Sequence, residues 1–362
     1  MSEPRLLLVG PFPPPLGGAA VSTKILADEI LTRLPRRVSI VDTSPKRLRT
    51  QRTIRPREVI RAADIAGRMF WGAHACDAML ALVTDGFYFR FSWLFSLIQR
   101  RLQKPIIISF FGGQLADELR TLDEEFRATL ISRLVMHTAV IVETDYLADN
   151  LRGLGLSRVT TVPGYRRLPA PSVAPILKRR EGLRLVFVGT VKRTKGIGVL
   201  MEAVRNVNKR NRANRVSLDI YGPVDETTVD CSQLAVAGDA SVRYLGVLED
   251  DPVALLRGYD ALALPTFHEG EGHPGVIIEA MIAGIPVIST RFRAIPELVQ
   301  DGFNGLLVQP GSVEELENAI AELSNNPELR AVMGRNQAAL VGRHSVSSAA
   351  ERILALLGMP QQ

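Results

Sequence analysis

The chain has 362 residues, 46% hydrophobic and 23% charged, a length that suits two domains of roughly 150–200 residues, each with a real core. Its formal net charge of +6 suggests an anionic partner, yet no zinc-finger, RRM or KH signature accompanies it, which argues against nucleic acid. Two cysteines, Cys76 and Cys231, stand far apart without a CxxC or a histidine partner, so they read as structural residues in a reducing cytoplasm and not as a disulfide framework. The apolar run Leu6–Val9 is too short for a secretory h-region, and no stretch approaches the roughly 18–20 apolar residues of a membrane span. The expectation is a cytoplasmic protein, soluble or peripheral on the inner face of the cell membrane.

Taken in order, Arg5–Gly10 is a short apolar run expected to form a strand buried on both faces. The loop FPPPLGGAA leads to a helix from about Val21 to Leu34, and its pair Gly17-Gly18 would let backbone amides approach a ligand at a helix N-terminus. The spacing is not GxGxxG, so a dinucleotide-dependent oxidoreductase is disfavoured. Val38–Asp42 reads as a second strand. Between Lys46 and Arg68 lie eight Lys/Arg (46, 47, 49, 52, 55, 57, 61, 68) against Glu58 and Asp64. They form either a solvated face or a surface for anionic lipid or a polyanionic acceptor. After a strand at Ala78–Val83, six aromatics fall within Phe87–Phe95. On a helix Tyr88, Phe91 and Phe95 share one face while Phe89 and Trp93 share a neighbouring one, which fits either a core helix or one dipping into a membrane interface. Strands at Ile106–Phe110, Ala139–Glu143 and Val159–Val162, with helices at Leu115–Thr121 and Tyr146–Leu154, complete a β/α alternation that predicts a parallel sheet with helices on both faces.

From Pro163 to Arg184 four prolines and clustered basic residues without periodicity mark a linker. A second alternation follows, with strands at Leu185–Gly189, Val216–Tyr221, Val242–Leu245, Asp260–Leu264 and Ile285–Thr290, a turn at Asp301–Gly305 into another strand, and helices at Val199–Asn208, Val313–Asn325, Glu328–Leu340 and Ser347–Leu357. The fold class is therefore α/β, with two Rossmann-like doubly wound parallel-sheet domains facing a central cleft. Their boundaries are 1–168 for the first, acceptor-side domain, 169–182 for the linker and 183–344 for the second, with the C-terminal helix at about 345–362 packing back on the first.

Two loops of the second half carry chemistry. GTVKRTKG delivers Lys192, Arg193 and Lys195 at the carboxyl end of a buried strand, before a helix, an anion site suited to a diphosphate. The second loop runs from Pro265, with Glu271 and Glu279 eight positions apart around a Gly-His-Pro-Gly turn. A carboxylate at a helix start can accept hydrogen bonds from a ribose diol or from sugar hydroxyls, and the glycines let amides come close to phosphate oxygens. Glu269 is a second candidate in EGEG, but the spacing to the proline turn favours Glu271. His268 and His273 lack a third ordered ligand, so no metal is assigned.

These residues carry a resemblance. Glu271-Gly-His-Pro-Gly-Val-Ile-Ile-Glu279-Ala-Met, then Gly284-Ile-Pro-Val-Ile, then Pro296-Glu297 and Asp301-Gly-Phe-Asn-Gly305, resemble the E-x7-E block of the retaining, nucleotide-sugar-dependent glycosyltransferases of family 4 (group 1), which have the GT-B fold. FVGTVKRTKG is similar to that family's FVGRLxxxKG, and GPFPPPLGGAA to its N-terminal Gly-rich loop. The resemblance implies a sugar moved from a UDP-, GDP- or similar sugar donor to a hydroxyl acceptor, with the anomeric configuration retained, no cofactor and no obligatory metal. It implies that Glu279 holds the ribose diol, Glu271 the donor sugar as the catalytic candidate, and Lys195 the diphosphate. Amides of Gly275, Val276 and Ile277 would approach phosphate or sugar, and Gly17 and Gly18 would face the diphosphate from the other domain.

Three positions depart from the family pattern. Thr190 stands where an Arg is usual, leaving Arg193 or Lys192 to replace it; Phe111 replaces a His before the Gly pair; and Arg293-Ala294 replaces Gly-Gly. The acceptor implied is a sugar or lipid-linked sugar in surface polysaccharide or glycolipid synthesis, with an anionic membrane surface as a further partner. The alternatives are a soluble enzyme acting on a small sugar or sugar phosphate, and an inactive protein that binds nucleotide-sugar.

Overall fold

A computed structural model of the chain describes residues 3–14, 17–44, 56–169, 182–210, 215–229, 240–249 and 251–360. Cys231, most of the linker, and Lys46, Arg47, Arg49, Arg52 and Arg55, with the side chain of Arg57, lie outside the described residues. The chain divides into two compact units, Met1–Arg167 with His344–Gln362, and Leu168–Arg343.

In the first unit β1 (Leu6–Gly10), β2 (Val38–Asp42), β3 (Ala78–Val83), β4 (Ile106–Phe110), β5 (Ala139–Val142) and β6 (Val159–Thr161) pair in parallel in the order β2-β1-β3-β4-β5-β6. The helices are α1 (Gly18–Arg33), α2 (Pro56–Ala75), α3 (Asp85–Leu102), α4 (Leu115–Thr121), α5 (Glu124–Val135), α6 (Asp145–Gly153) and, from the far end of the chain, α13 (Val346–Leu356). The continuous apolar reading of β1 has a direct cause. Leu7 and Val9 enter one core with α2 and α3, while Leu6 and Leu8 enter a second core with α1 and α13, as a two-residue side-chain period requires in a sheet covered on both faces. Arg33 of α1 fastens the C-terminal helix by donating to Ser347 Oγ (2.6 Å) and Glu351 Oε1 (3.0 Å).

The aromatic run lies on α3 with one face in the core. Tyr88, Phe91 and Phe95 of α3 are buried, with Tyr88 packed on Phe95 and Phe110, whereas Trp93 faces outward.

The second unit comprises β7 (Leu183–Val188), α7 (Ile197–Arg210), β8 (Val216–Tyr221), β9 (Val242–Tyr244), α8 (Pro252–Leu256), β10 (Ala261–Leu264), α9 (Gly275–Ala283), β11 (Val287–Thr290), α10 (Ile295–Leu298), β12 (Gly305–Val308), α11 (Val313–Asn325) and α12 (Pro327–Val341). Its sheet is again all parallel, in the order β12-β11-β10-β7-β8-β9. The chain winds outward from β7 to β9 and then returns to the other side of β7 as β10. The direction of winding therefore reverses between β7 and β10, and ligands of open parallel sheets bind at such a point, outside the carboxyl ends of the strands. In the first sheet the corresponding reversal lies between β1 and β3.

The Asp-Gly-Phe-Asn-Gly turn is built by a buried amide pair. Asn304 Oδ1 accepts from the Gln300 amide (2.7 Å), and its Nδ2 donates to Leu298 O and to Gln337 Oε1 (both 3.0 Å). Gln337 Nε2 in turn donates to Ile285 O (2.8 Å) and Asn304 O (2.9 Å). The turn is thereby locked to α12 and to the entrance of β11. A Cβ at Gly305 would lie 2.1 Å from Val287 O, so the sheet admits only glycine there.

Replacing Asn304 by Ala strips three partners of their hydrogen bonds in a dry site. We expect a loss of roughly 2–4 kcal/mol in urea unfolding followed by circular dichroism.

Candidate functional site

The two strands at the reversal of the second sheet release two loops that touch. After β7, Arg193–Lys195 form a single 3-10 turn ending at Gly196, whose φ is 76°. A Cβ on Gly196 would lie 2.1 Å from Pro265 O, at the start of the loop after β10. Glycine permits this approach both by its left-handed backbone and by its missing side chain. The Phe267 amide then donates to Thr194 O (2.8 Å), closing the two loops on each other.

That closure sets Lys195 against Glu271. The ammonium and the carboxylate form an ion pair, with both side chains largely buried. Thr266 Oγ1 donates to the same carboxylate oxygen (3.1 Å), and Thr266 is itself fixed because its carbonyl accepts from Thr290 Oγ1 on β11. Lys192 Nζ donates to His268 Nε2 (3.0 Å), which leaves the ring proton on Nδ1, facing Thr194 Oγ1 (3.4 Å). Burial, followed by the charges of Lys192 and Lys195, lowers the pKa of His268. Burial, followed by the neighbouring Lys195, lowers that of Lys192. Lys192, Lys195 and His268 thus gather around Glu271, with Asp225 acting on Lys192 and Glu269 on His268.

The Gly-His-Pro-Gly turn delivers the start of α9 beside it. Pro274 caps the helix without a side-chain hydrogen bond. The Ile277 amide is taken by Pro274 O (3.0 Å), so the amides at the open end of the helix are those of Gly275 and Val276, two donors on the positive end of the helix dipole. Ile277 itself is buried in the core. Glu279 lies one turn further along α9 and is half-buried. His273 is buried and pairs with Glu297 Oε2 on α10 (3.2 Å), which explains the Pro-Glu of the sequence as a brace for this turn. The two histidines therefore have separate partners.

Arg193 is the sequence candidate that falls outside this group. It is exposed, its amide donates to Thr228 Oγ1 (3.4 Å), and it borders a groove of about 860 Å³ along α7 that neither Glu271 nor Glu279 lines. Lys192 takes the position beside the carboxylate. Thr266 and Thr194 carry no signal in the sequence, and His268 is weighed there only as a metal ligand; their places on the touching loops identify all three.

At the reversal of the first sheet, Gly17 caps α1 in an extended conformation, and a Cβ on Gly17 or Gly18 would meet nothing within 4 Å. These two glycines are thus not demanded by packing. On the neighbouring β3 loop Asp85 opens α3. It is nine-tenths buried, and its Oδ1 has no hydrogen-bond partner among the described residues. Burial, reinforced by Glu118, pushes its pKa up to about 7. Among the described residues no helix is long and apolar enough to cross a membrane.

Comparison with known proteins bears on the same region. Residues 182–326 match the family model described as glycosyl transferases group 1. An uncharacterized glycosyltransferase of Methanocaldococcus jannaschii is 30% identical over 42% of this chain and 41% of its own. The lipopolysaccharide core biosynthesis glycosyltransferase LpsE of Rhizobium meliloti is 28% identical over 60% of this chain and 63% of its own. The chain thus spans less than two thirds of the length of these curated relatives. In three dimensions, HepE of Anabaena in complex with UDP superposes with a TM-score of 0.73 over 98% of this chain and 99% of its own, at 17% identity. That likeness fixes the fold as GT-B.

Two outcomes are expected from this geometry. Gly196→Ala forces the loops apart and lowers stability by roughly 2–4 kcal/mol in a denaturant titration. Asp85 has a folded-state pKa above its unfolded value, so below pH 4 both states hold the proton and the group costs nothing. As pH rises towards 7 the unfolded chain releases its proton first and stability falls. Asp85→Asn should therefore leave stability unchanged near pH 4 and raise it by about 2–4 kcal/mol at pH 8, measured by thermal melts across that range.

Proposed function

We propose, from the match of residues 182–326 to the group 1 glycosyl transferases in a chain of GT-B fold, that the protein moves a sugar from a nucleoside diphosphate sugar to a hydroxyl acceptor. The observation that carries the reading is the Lys195–Glu271 pair, held at the sheet reversal beside the open amide end of α9. Without a ligand, Glu271 neutralises Lys195. An arriving diphosphate brings more negative charge than one carboxylate and competes for Lys195 and Lys192, with the Gly275 and Val276 amides completing its shell. Glu271 is then released towards the sugar hydroxyls, and we assign Glu279 on α9 to accept from the ribose diol.

In the reaction, the bond from the anomeric carbon to the β-phosphate oxygen breaks and the bond from the acceptor oxygen forms. The acceptor proton leaves with the departing diphosphate. We assign retention of configuration from the E-x7-E pattern, and the two lysines with the helix dipole to stabilising the leaving charge without a metal ion. HepE, solved with UDP and with UDP-glucose, supports a UDP-sugar as the first donor to test, with GDP-sugars second. LpsE, a lipopolysaccharide core enzyme by its description, supports a surface-glycan or lipid-linked acceptor in the cytoplasm or at the inner membrane face.

The test is calorimetric titration with UDP-, GDP-, ADP- and dTDP-sugars, followed by assay of nucleotide release in the presence of EDTA. One donor should bind and turn over, and EDTA should leave the rate unchanged. Glu279→Ala should weaken binding by about tenfold or more, and Glu271→Gln should lower turnover by about 10²–10³ while leaving the fold intact. Binding to none of the donors overturns the reading. Tight binding without turnover, unaltered by Glu271→Gln, makes the protein a nucleotide-sugar binder instead.

A further inference from the structure

The chain has two tryptophans, and neither is used in the core. Trp71 of α2 is 71% exposed and Trp93 of α3 is 50% exposed. The two helices pack against each other, and both bury their inner faces in the same core. Their outer faces carry a consistent pattern. On α3, Arg90, Trp93, Leu97 and Arg100 recur at spacings of three and four, and all four are exposed, one stripe of the helix. On α2, Ile60 is 69% exposed, and Arg68 stands outward beside Trp71. Arg101 adds a fourth exposed guanidinium, against Asp64 as the exposed carboxylate of α2.

We infer that this α2–α3 face docks on an anionic phospholipid surface. Trp and Arg occur together at protein–protein interfaces too, so the sign of the charge decides between the two: a cation stands within one helical turn of each exposed tryptophan. Indole rings and arginine stems have apolar bodies with polar tips, and both favour the headgroup layer of a bilayer. One charge sign dominates, which matches a negative leaflet and a chain of net charge +6. No helix needs to span: each presents only its outer stripe. Placing the acceptor in that membrane rests on the transfer reaction proposed above; the docking face itself is read from residues that take no part in the donor site.

The experiment is co-sedimentation of the full chain with phosphatidylcholine vesicles, with and without about 30 mol% phosphatidylglycerol, at low salt and at about 0.5 M NaCl. We expect binding only to the anionic vesicles, weakened by salt, with a blue shift of tryptophan emission and quenching by brominated lipid. Trp71→Ala with Trp93→Ala, and separately Arg90→Glu with Arg100→Glu, should each lower the partition coefficient roughly tenfold or more while thermal melts stay unchanged. The inference is overturned by absence of binding at low salt, or by variants that bind as wild type does. It is also overturned by self-association in analytical ultracentrifugation that the same variants abolish while vesicles go unbound. Nucleotide titration of the same wild-type protein separates the two readings. Vesicle binding without nucleotide binding overturns the transfer reaction alone, and nucleotide binding without vesicle binding overturns the docking face alone.

Discussion

The contact between the two loops at the reversal of the second sheet is what the site depends on. Lys195 and Glu271 are 76 residues apart in sequence, yet they meet because Gly196 lets the backbone of one loop rest on Pro265 of the other. Burying an ion pair costs desolvation of both partners, and the attraction offsets it only with good geometry and further hydrogen bonds. Thr266 supplies one of these, and its own position is fixed from β11. The pair is therefore rigidly placed, with Lys192 as a second cation nearby and Asp225 acting on that lysine in turn.

Much of the signature-bearing stretch serves that placement and not the chemistry. Glu297 braces His273, so the Pro-Glu dipeptide orients the turn that starts α9. Asn304 and Gln337 lock the turn before β12, and Gly305 lets β12 lie against β11. These residues are fixed because buried amides must find partners and because backbone fills the space where a Cβ would go. The proposed transfer reaction draws instead on Glu271, Glu279 and the amides of Gly275 and Val276 at the start of α9.

The long apolar runs were legible in the sequence because a strand covered on both faces must be apolar at every position; β1, β3 and β4 emerge with the expected limits or within one residue of them. α5, α8 and α10 were not anticipated. α8 and α10 have five and four residues, too short for a 3.6-residue period to register, and α5 buries only Leu130 and Leu134 among its twelve residues. α1 begins at Gly18, three residues before the expected start, because glycines next to a helix read as loop although one of them caps it. In the site, Glu271 and Lys195 could be named as candidates from residue type, but not as each other's partners. His268, likewise, could be weighed as a metal ligand but not as the acceptor for Lys192, because that depends on how two loops close on each other.

The two sheets handle a buried acid at their reversals in opposite ways. In the second unit the charge of Glu271 is met by Lys195 and by a hydroxyl donor, so the carboxylate can be held nearly dry. In the first unit no cation among the described residues pairs with Asp85, and Glu118 adds like charge; the carboxyl instead holds its proton up to about pH 7, at the start of a helix whose dipole alone would favour its ionised form. Desolvation outweighs the dipole because the dipole is worth about a kilocalorie and full burial of an unpaired carboxylate costs several. The same position in two copies of one architecture thus holds an ion-paired carboxylate in the second unit and a proton-holding carboxyl in the first, and among the described residues the difference lies in whether the adjoining loop delivers a lysine.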